Sequence, residues 1–300
     1  MENASKKHHY LPAFYLKRWA DDNSLLVQFS QPYGKTVPHR THPNGTGYIT
    51  GLYSIKGAPN EHDAQTFEED FLKPLDSLAS DALDKFEKQN FPGDLTVKQR
   101  SAWTRFIMSL LFRMPEDLTA LCDYWAKIMA NSTTQELNVY ETQRMASDPP
   151  TLAEFLSETP EERKEAGLFR LLRKVIDGKR IGEIINNFHW SVLDLSEESA
   201  EFFTSDRPIL RTSGLDAENS QLVLPIGPRK LFVAARSAEV LEGISRILPA
   251  DIVNQVNERV VGAAKKFVYA CTDDNIDYVR DRMGTLTDER IIESAFSKQA

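Results

Sequence analysis

The residues best able to do chemistry open the chain. His8-His9-Tyr10-Leu11-Pro12-Ala13-Phe14-Tyr15-Leu16-Lys17-Arg18-Trp19 places imidazoles, phenols and a guanidinium on one short apolar stretch. An imidazole titrates near neutral pH, so His8 or His9 can act as a general base or bind phosphate. Adjacent side chains of an extended segment leave opposite faces, so the pair cannot chelate one metal without a turn, and at most one of them faces a given pocket. Tyr15 is a candidate ligand-binding phenol on the same segment. The alternative is architectural: Tyr10, Phe14, Tyr15 and Trp19 anchor the segment to a core while the imidazoles bond to backbone carbonyls.

A second group lies in Thr204-Ser205-Asp206-Arg207-Pro208. Hydroxyl and carboxylate oxygens in such a run close turns by accepting from amides two residues on. As chemistry, Ser205 is a nucleophile only if a base touches it, and no glycine-flanked elbow surrounds it. Asp206 is the stronger candidate, a carboxylate able to orient a histidine or share a metal with one. Arg113 ends the apolar run Leu110-Leu111-Phe112-Arg113-Met114-Pro115, where a buried guanidinium needs a carboxylate such as Asp206 or an anionic ligand. A cation at a helix C-terminus is the simpler explanation.

Other signals are weaker. His39-Arg40-Thr41-His42, flanked by Pro38 and Pro43, has an interval seen in metal sites but no neighbouring acid or thiol, and reads as a solvated loop. His62 and His189 are single residues near element boundaries. Glu68, Glu69 and Asp70 read as acids opening a helix. Arg163, Arg170, Arg173 and Lys174 form the polar side of another helix, either a solvated face or a track for a phosphate backbone. Cys122 and Cys271 are too few and too distant for a disulfide framework, and read as small buried hydrophobes. No metal set and no cofactor motif is visible.

Composition narrows the partners. A net charge of −8 opposes a general, charge-driven grip on nucleic acid, though a local basic groove stays open. No apolar run is long enough to span a bilayer, and charged residues lead straight into aromatics and Pro12 with no signal-peptide core, so the expected location is cytoplasmic, away from membranes. The open partner classes are an anionic ligand and nucleic acid.

The elements that must position these groups follow from hydrophobic period. Residues 1–60 read as an extended layer with a strand at Leu25 to Phe29, broken by turns at Gln31-Pro32-Tyr33-Gly34, His42-Pro43-Asn44-Gly45 and Gly47. Phe67, Phe71, Leu75, Leu78, Ala82 and Phe86 predict a helix over Asp63 to Lys88, bent at Pro74. Thr96 caps a second helix with the stripe Trp103, Phe106, Ile107, Leu110, Leu111, Met114. A third stripe runs Leu118, Leu121, Trp125, Ile128, Met129 and fades into the polar stretch Asn131 to Ser147. Asp148-Pro149-Pro150 marks a linker, and a helix follows over Pro160 to Asp177. From His189 the period falls towards two, predicting strands at Trp190 to Leu195, Glu201 to Thr204, Gln221 to Ile226, Lys230 to Ala235 and Lys266 to Ala270, with helices at Asp251 to Lys265 and Asp274 to Arg282. The expected fold is one α+β domain over 1–300: an extended layer at 1–60, a central helical bundle region at 61–185, and a mainly antiparallel sheet with C-terminal helices at 189–300, the two ends packing together.

The motifs at 8–16, Phe112-Arg113-Met114-Pro115, Phe202-Phe203-Thr204-Ser205-Asp206-Arg207-Pro208, Leu224-Pro225-Ile226-Gly227-Pro228 and the helix carrying Asn254 and Asn257 resemble domain-of-unknown-function family 4238, a bacterial family, over nearly the whole chain. The resemblance implies a single domain and singles out the motif positions; it supplies no mechanism. The leading expectation is a hydrolase or phosphodiesterase, nuclease-like, with His8 or His9 as base, Asp206 orienting it, Ser205 a weaker nucleophile candidate, and Arg113 and Tyr15 holding the ligand. The alternative is a binding or regulatory module whose motifs are structural.

Overall fold

The chain is described here by a computed structural model covering residues 6–89, 95–130, 134–145, 148–159, 161–197, 199–211 and 214–286. Alternation and turns build β1 (Lys7–His9), a one-turn helix α1 (Ala13–Leu16), the hairpin β2 (Leu26–Ser30) with β3 (Val37–Thr41), and β4 (Tyr48–Thr50). The helical layer follows: α2 (Glu61–Phe67), a π-helical turn over Glu68–Leu72, α3 (Lys73–Gln89), α4 (Val97–Leu110), α5 (Pro115–Ala130), α6 (Thr134–Gln143), α7 (Leu152–Glu158), α8 (Glu161–Ile176) and α9 (Lys179–Asn186). The last third holds β5 (His189–Asp194), β6 (Thr204–Ser205), β7 (Leu210–Arg211), β8 (Gln221–Gly227), β9 (Lys230–Ala235), α10 (Ala238–Ser245), α11 (Pro249–Ala263), β10 (Val268–Ala270) and α12 (Ile276–Arg282).

The architecture is the expected mixture of α and antiparallel β. One sheet runs β5-β9-β8-β7, and a second, β3-β2-β10-β6, pairs the two ends of the chain, with Val27 opposite Ala270 and Val268 opposite Ser205. β1 pairs with β4 as a separate ribbon. The main core gathers Leu11, Tyr15, Leu16 and Trp19 with Phe86, Trp103, Phe106 and Phe232, all at 0% exposure. Each buried ring of this size withdraws enough apolar area to contribute about 1.5–3 kcal/mol. The N-terminal motif is thus threaded into the centre. At the start of α4, Thr96 accepts from the Gln99 amide while the Gln99 side chain accepts from the Thr96 amide, the reciprocal cap its sequence encodes.

Several elements differ from expectation for physical reasons. The predicted helix Asp63 to Lys88 is not simply bent at Pro74: it widens into the π turn at Glu68–Leu72 immediately before Pro74, whose ring nitrogen has no N–H for the carbonyl of Asp70. The stretch His39 to Thr41 is an exposed edge strand rather than a loop: β3 is the outer strand of its sheet, the position at which a proline such as Pro38, opposite Phe29, is tolerated. Residues 201–203 are not strand; Phe202 N donates to Pro228 O and Phe203 N to Asn257 Oδ1 instead. The polar stretch after α5 contains α6, and Asp148-Pro149-Pro150 joins it to α7, with Tyr140 Oη donating to Pro149 O at 2.6 Å. Cys122 is exposed and Cys271 half-buried, since Leu118 and Leu121 take the inward face of α5. The side chains of Trp125, Ile128 and Met129 lie outside the described residues. Among the described residues, no helix is long and apolar enough to cross a membrane.

Candidate functional site

Strand alternation decides the fate of the histidine pair. In β1 His8 turns inward and His9 outward. The His8 ring stacks on Tyr53 at 5.6 Å between centroids, its Nδ1 accepts from Tyr53 N at 2.8 Å, and its Nε2 lies 2.6 Å from Gln65 Oε1. Because Nδ1 accepts, the proton sits on Nε2 and donates to Gln65, whose amide in turn donates to Ser54 Oγ at 3.0 Å. Burial lowers the His8 pKa and keeps the ring neutral. Both nitrogens are engaged.

His9 is different. It is half-buried against Tyr48, with 5.4 Å between ring centroids, and its Nε2 is buried without a hydrogen-bond partner. Burial, then the charges of Arg113 and Lys7, push its pKa down to about 4, against the opposing pull of the Lys7 and Asn44 backbone.

Arg113 follows the end of α4 and is fully buried. Its Nε donates to Tyr10 O at 3.0 Å, and Nη1 donates to Asp76 at 3.1 and 3.3 Å. Its own carbonyl accepts from Tyr53 Oη at 2.6 Å, and Nη2 has no partner. Glu68, in the π turn, is 6% exposed with Oε2 unpartnered; burial and then the nearby Asp76 charge raise it to about 7. Burial raises Asp76 as well, against the pull of Arg113. Arg113 acts on His9, Glu68 and Asp76 alike, so these four groups share one weakly screened field.

In the second group Ser205 and Asp206 are bonded to saturation. Ser205 Oγ donates to Val260 O at 2.9 Å and accepts from Arg207 N at 3.0 Å. Asp206, fully buried, accepts from the amides of Lys265 at 2.8 Å, Lys266 at 2.5 Å and Phe267 at 3.2 Å. Burial raises its carboxyl to about 6 even so. Arg207 donates to Asp117 at 2.5 Å, and Lys266 pairs with Glu116 at 2.9 Å. Tyr15 Oη meets Thr204 Oγ1 and donates to Pro225 O, each at 2.7 Å, beside the irregularity in β8 between Pro225 and Gly227.

Of the residues singled out by sequence, His9 lies in the field of Arg113, and Tyr10 links Arg113 to Asp206: its carbonyl takes Arg113 while its phenol lies in the field of Asp206 and Glu116. Asp206 touches neither imidazole; its oxygens go to the 265–267 backbone. His39 and His42 are exposed, His42 Nδ1 accepting from Asn44 N at 3.1 Å, and His62 and His189 are exposed too. Among the described residues no three His, Cys, Asp or Glu side chains are grouped to hold a metal ion.

Glu68 and Asp76 were not legible as site residues, Glu68 having the profile of a helix-opening acid. The usable signal is positional: Glu68 falls three residues before Phe71, and Asp76 falls between Leu72 and Ala79, so each carboxylate interrupts an apolar stripe.

The motifs at 8–16, 112–115 and 202–208 therefore meet around Tyr10. The family model described as a protein of unknown function, DUF4238, matches residues 7–274. The chain belongs to this family. The residues described above, from His8 to Phe267, lie inside the matched span. No curated protein and no solved structure matches the chain.

Proposed function

We propose that the family 4238 chain is a binding protein that receives a small anionic molecule beside His9 and Arg113. The observation that carries this reading is the Arg113 guanidinium, fully buried over the Phe106 ring with Nη2 outside any hydrogen bond, whose charge reaches an imidazole, His9, with a buried Nε2 likewise outside any hydrogen bond. A buried donor without a partner costs about 1–3 kcal/mol, more when charged, and a bound anion removes that cost. The saturation of His8, Tyr15, Ser205 and Asp206 by protein partners supports recognition over hydrolysis at those residues.

The test is thermal unfolding and calorimetry with inorganic phosphate and with acetate. A ligand at one hundred times its dissociation constant adds about 2.7 kcal/mol of stability. At least one anion should raise the midpoint of the wild type, and His9→Asn should abolish the rise while melting normally without ligand. If neither anion stabilises the wild type, the reading fails.

One observation favours a second reading, a hydrolase or phosphodiesterase. Glu68, raised to about 7, and His9, lowered to about 4, both lie in the field of Arg113 and are pushed apart by their surroundings, as an acid–base couple requires. Cleavage of bis-p-nitrophenyl phosphate or p-nitrophenyl acetate, titrating near pH 7 and lost in Glu68→Gln, would decide for it.

A further inference from the structure

The binding site leaves the outer face of α8 without a role. We propose that this face binds the phosphate backbone of nucleic acid through Arg163, Arg170 and Lys174. At 100° per residue, Arg170 and Lys174 fall within about 20° of Arg163 on either side, a straight row roughly 16 Å long. All three are exposed, while Leu168, Phe169, Leu172 and Ile176 bury the opposite face and fix the row outward.

None of the three makes a hydrogen bond or ion pair with a described residue. The acids described nearby are spoken for: Glu165 accepts from Lys56 N at 2.5 Å and pairs with its Nζ at 3.3 Å, and Asp177 pairs with Arg105 at 2.6 Å and Arg173 at 3.8 Å. A helix dipole accounts for cations in the last turn of α8, but it disfavours Arg163, which lies in the first. Gly167 lies inside the row, with nothing within 4 Å of where a Cβ would stand, so the helix backbone is open to close approach between Arg163 and Arg170. Arginine forks suit phosphate oxygens, whereas Lys179 and Arg180 past the helix end are paired with Glu183 and Asp216, each at 3.8 Å, so the row of three carries the attraction. On a chain of net charge −8 such attraction is local, and it depends on these residues rather than on the whole surface.

The experiment is fluorescence polarisation of the full chain against a labelled DNA duplex of about 20 base pairs and against one of its strands. Three contacts predict a log–log salt slope of about −2.7 for duplex, roughly 40-fold weaker binding from 50 to 200 mM salt, and about −2.1 for the single strand. Changing Arg163→Glu, Arg170→Glu and Lys174→Glu together should weaken binding at least tenfold at 50 mM salt. The milder pair Arg170→Gln and Lys174→Gln should make the duplex slope shallower by about 1.8. A control with the same charge change on other elements, Lys35→Glu, Lys88→Glu and Arg246→Glu, should stay within twofold of wild type. No binding by the wild type at 50 mM salt, or equal loss in the control, overturns the proposal.

Discussion

Asp206 and Glu68 are both carboxylates withdrawn from solvent at the junction of the motifs, and the protein answers their charges in opposite ways. Around Asp206, three consecutive amides of 265–267 point at the two oxygens, so the carboxylate ties the end of α11 and the start of β10 to β6. Around Glu68 the protein provides a second carboxylate, a shared guanidinium and one oxygen with no donor. The first arrangement spends a charge on holding backbone; the second leaves a polar group for something the chain does not itself contain. The same contrast separates His8, with both nitrogens bonded, from its neighbour His9.

The largest effect should come from breaking the saturated side. Asp206→Asn keeps the shape but turns an N–H₂ towards amides that need an acceptor, stranding at least one donor, and should cost about 3–5 kcal/mol. Urea unfolding of the variant measures this. A loss under about 1 kcal/mol would mean that Asp206 is not the clasp the geometry describes.

That difference was only partly legible in the sequence. Elements with a long stripe or a reciprocal cap, such as α4 and α8, stand where their periodicity puts them, because local propensity and burial agree there. β1, β4 and β7 are two or three residues long, too short for a period, and exist because a distant partner supplies the ladder. For the site, residue type singled out His9 and Arg113, which the structure places in one electrostatic field, but pairing Asp206 with an imidazole assumed that its oxygens were free. The amides that occupy them belong to Lys265, Lys266 and Phe267, residues that carry no signal for this role. Glu68 was hidden for the opposite reason: the π turn rotates a helix-opening acid into the interior, and a π turn has no sequence signature as clear as a cap.

A smaller effect sharpens the comparison from the Glu68 side. Its folded pKa of about 7 lies above the ordinary 4.5, so the folded state holds the proton more tightly than the unfolded chain. The stability this contributes is complete below pH 4.5 and is lost as pH rises through about 7, amounting to about 3 kcal/mol at most. Glu68→Gln removes the titration, so the variant should gain on the wild type by up to that amount between pH 4.5 and 8. A difference that stays flat across this range would show that Glu68 is ionised throughout and solvated.

The smallest effect belongs to His9, and its sign is reversed. With a folded pKa of about 4 against 6.5, His9 contributes stability above pH 6.5 that is lost as pH falls through about 4. The ring is partly exposed, which discounts the full shift to about 1–2 kcal/mol. His9→Asn should therefore change stability by less than about 0.5 kcal/mol at pH 7.5 and make the protein less sensitive to acid between pH 6.5 and 4. In the wild type the two slopes oppose each other over that window, Glu68 gaining stability as pH falls while His9 loses it. The double variant should then be nearly flat from pH 6.5 to 4.5 and stay within about 1–2 kcal/mol of the wild type's dependence, although each single variant departs from the wild type in its own direction. If the single variants do not diverge in opposite senses, His9 and Glu68 do not share the field of Arg113, and the bare atoms on this side of the junction are separate features.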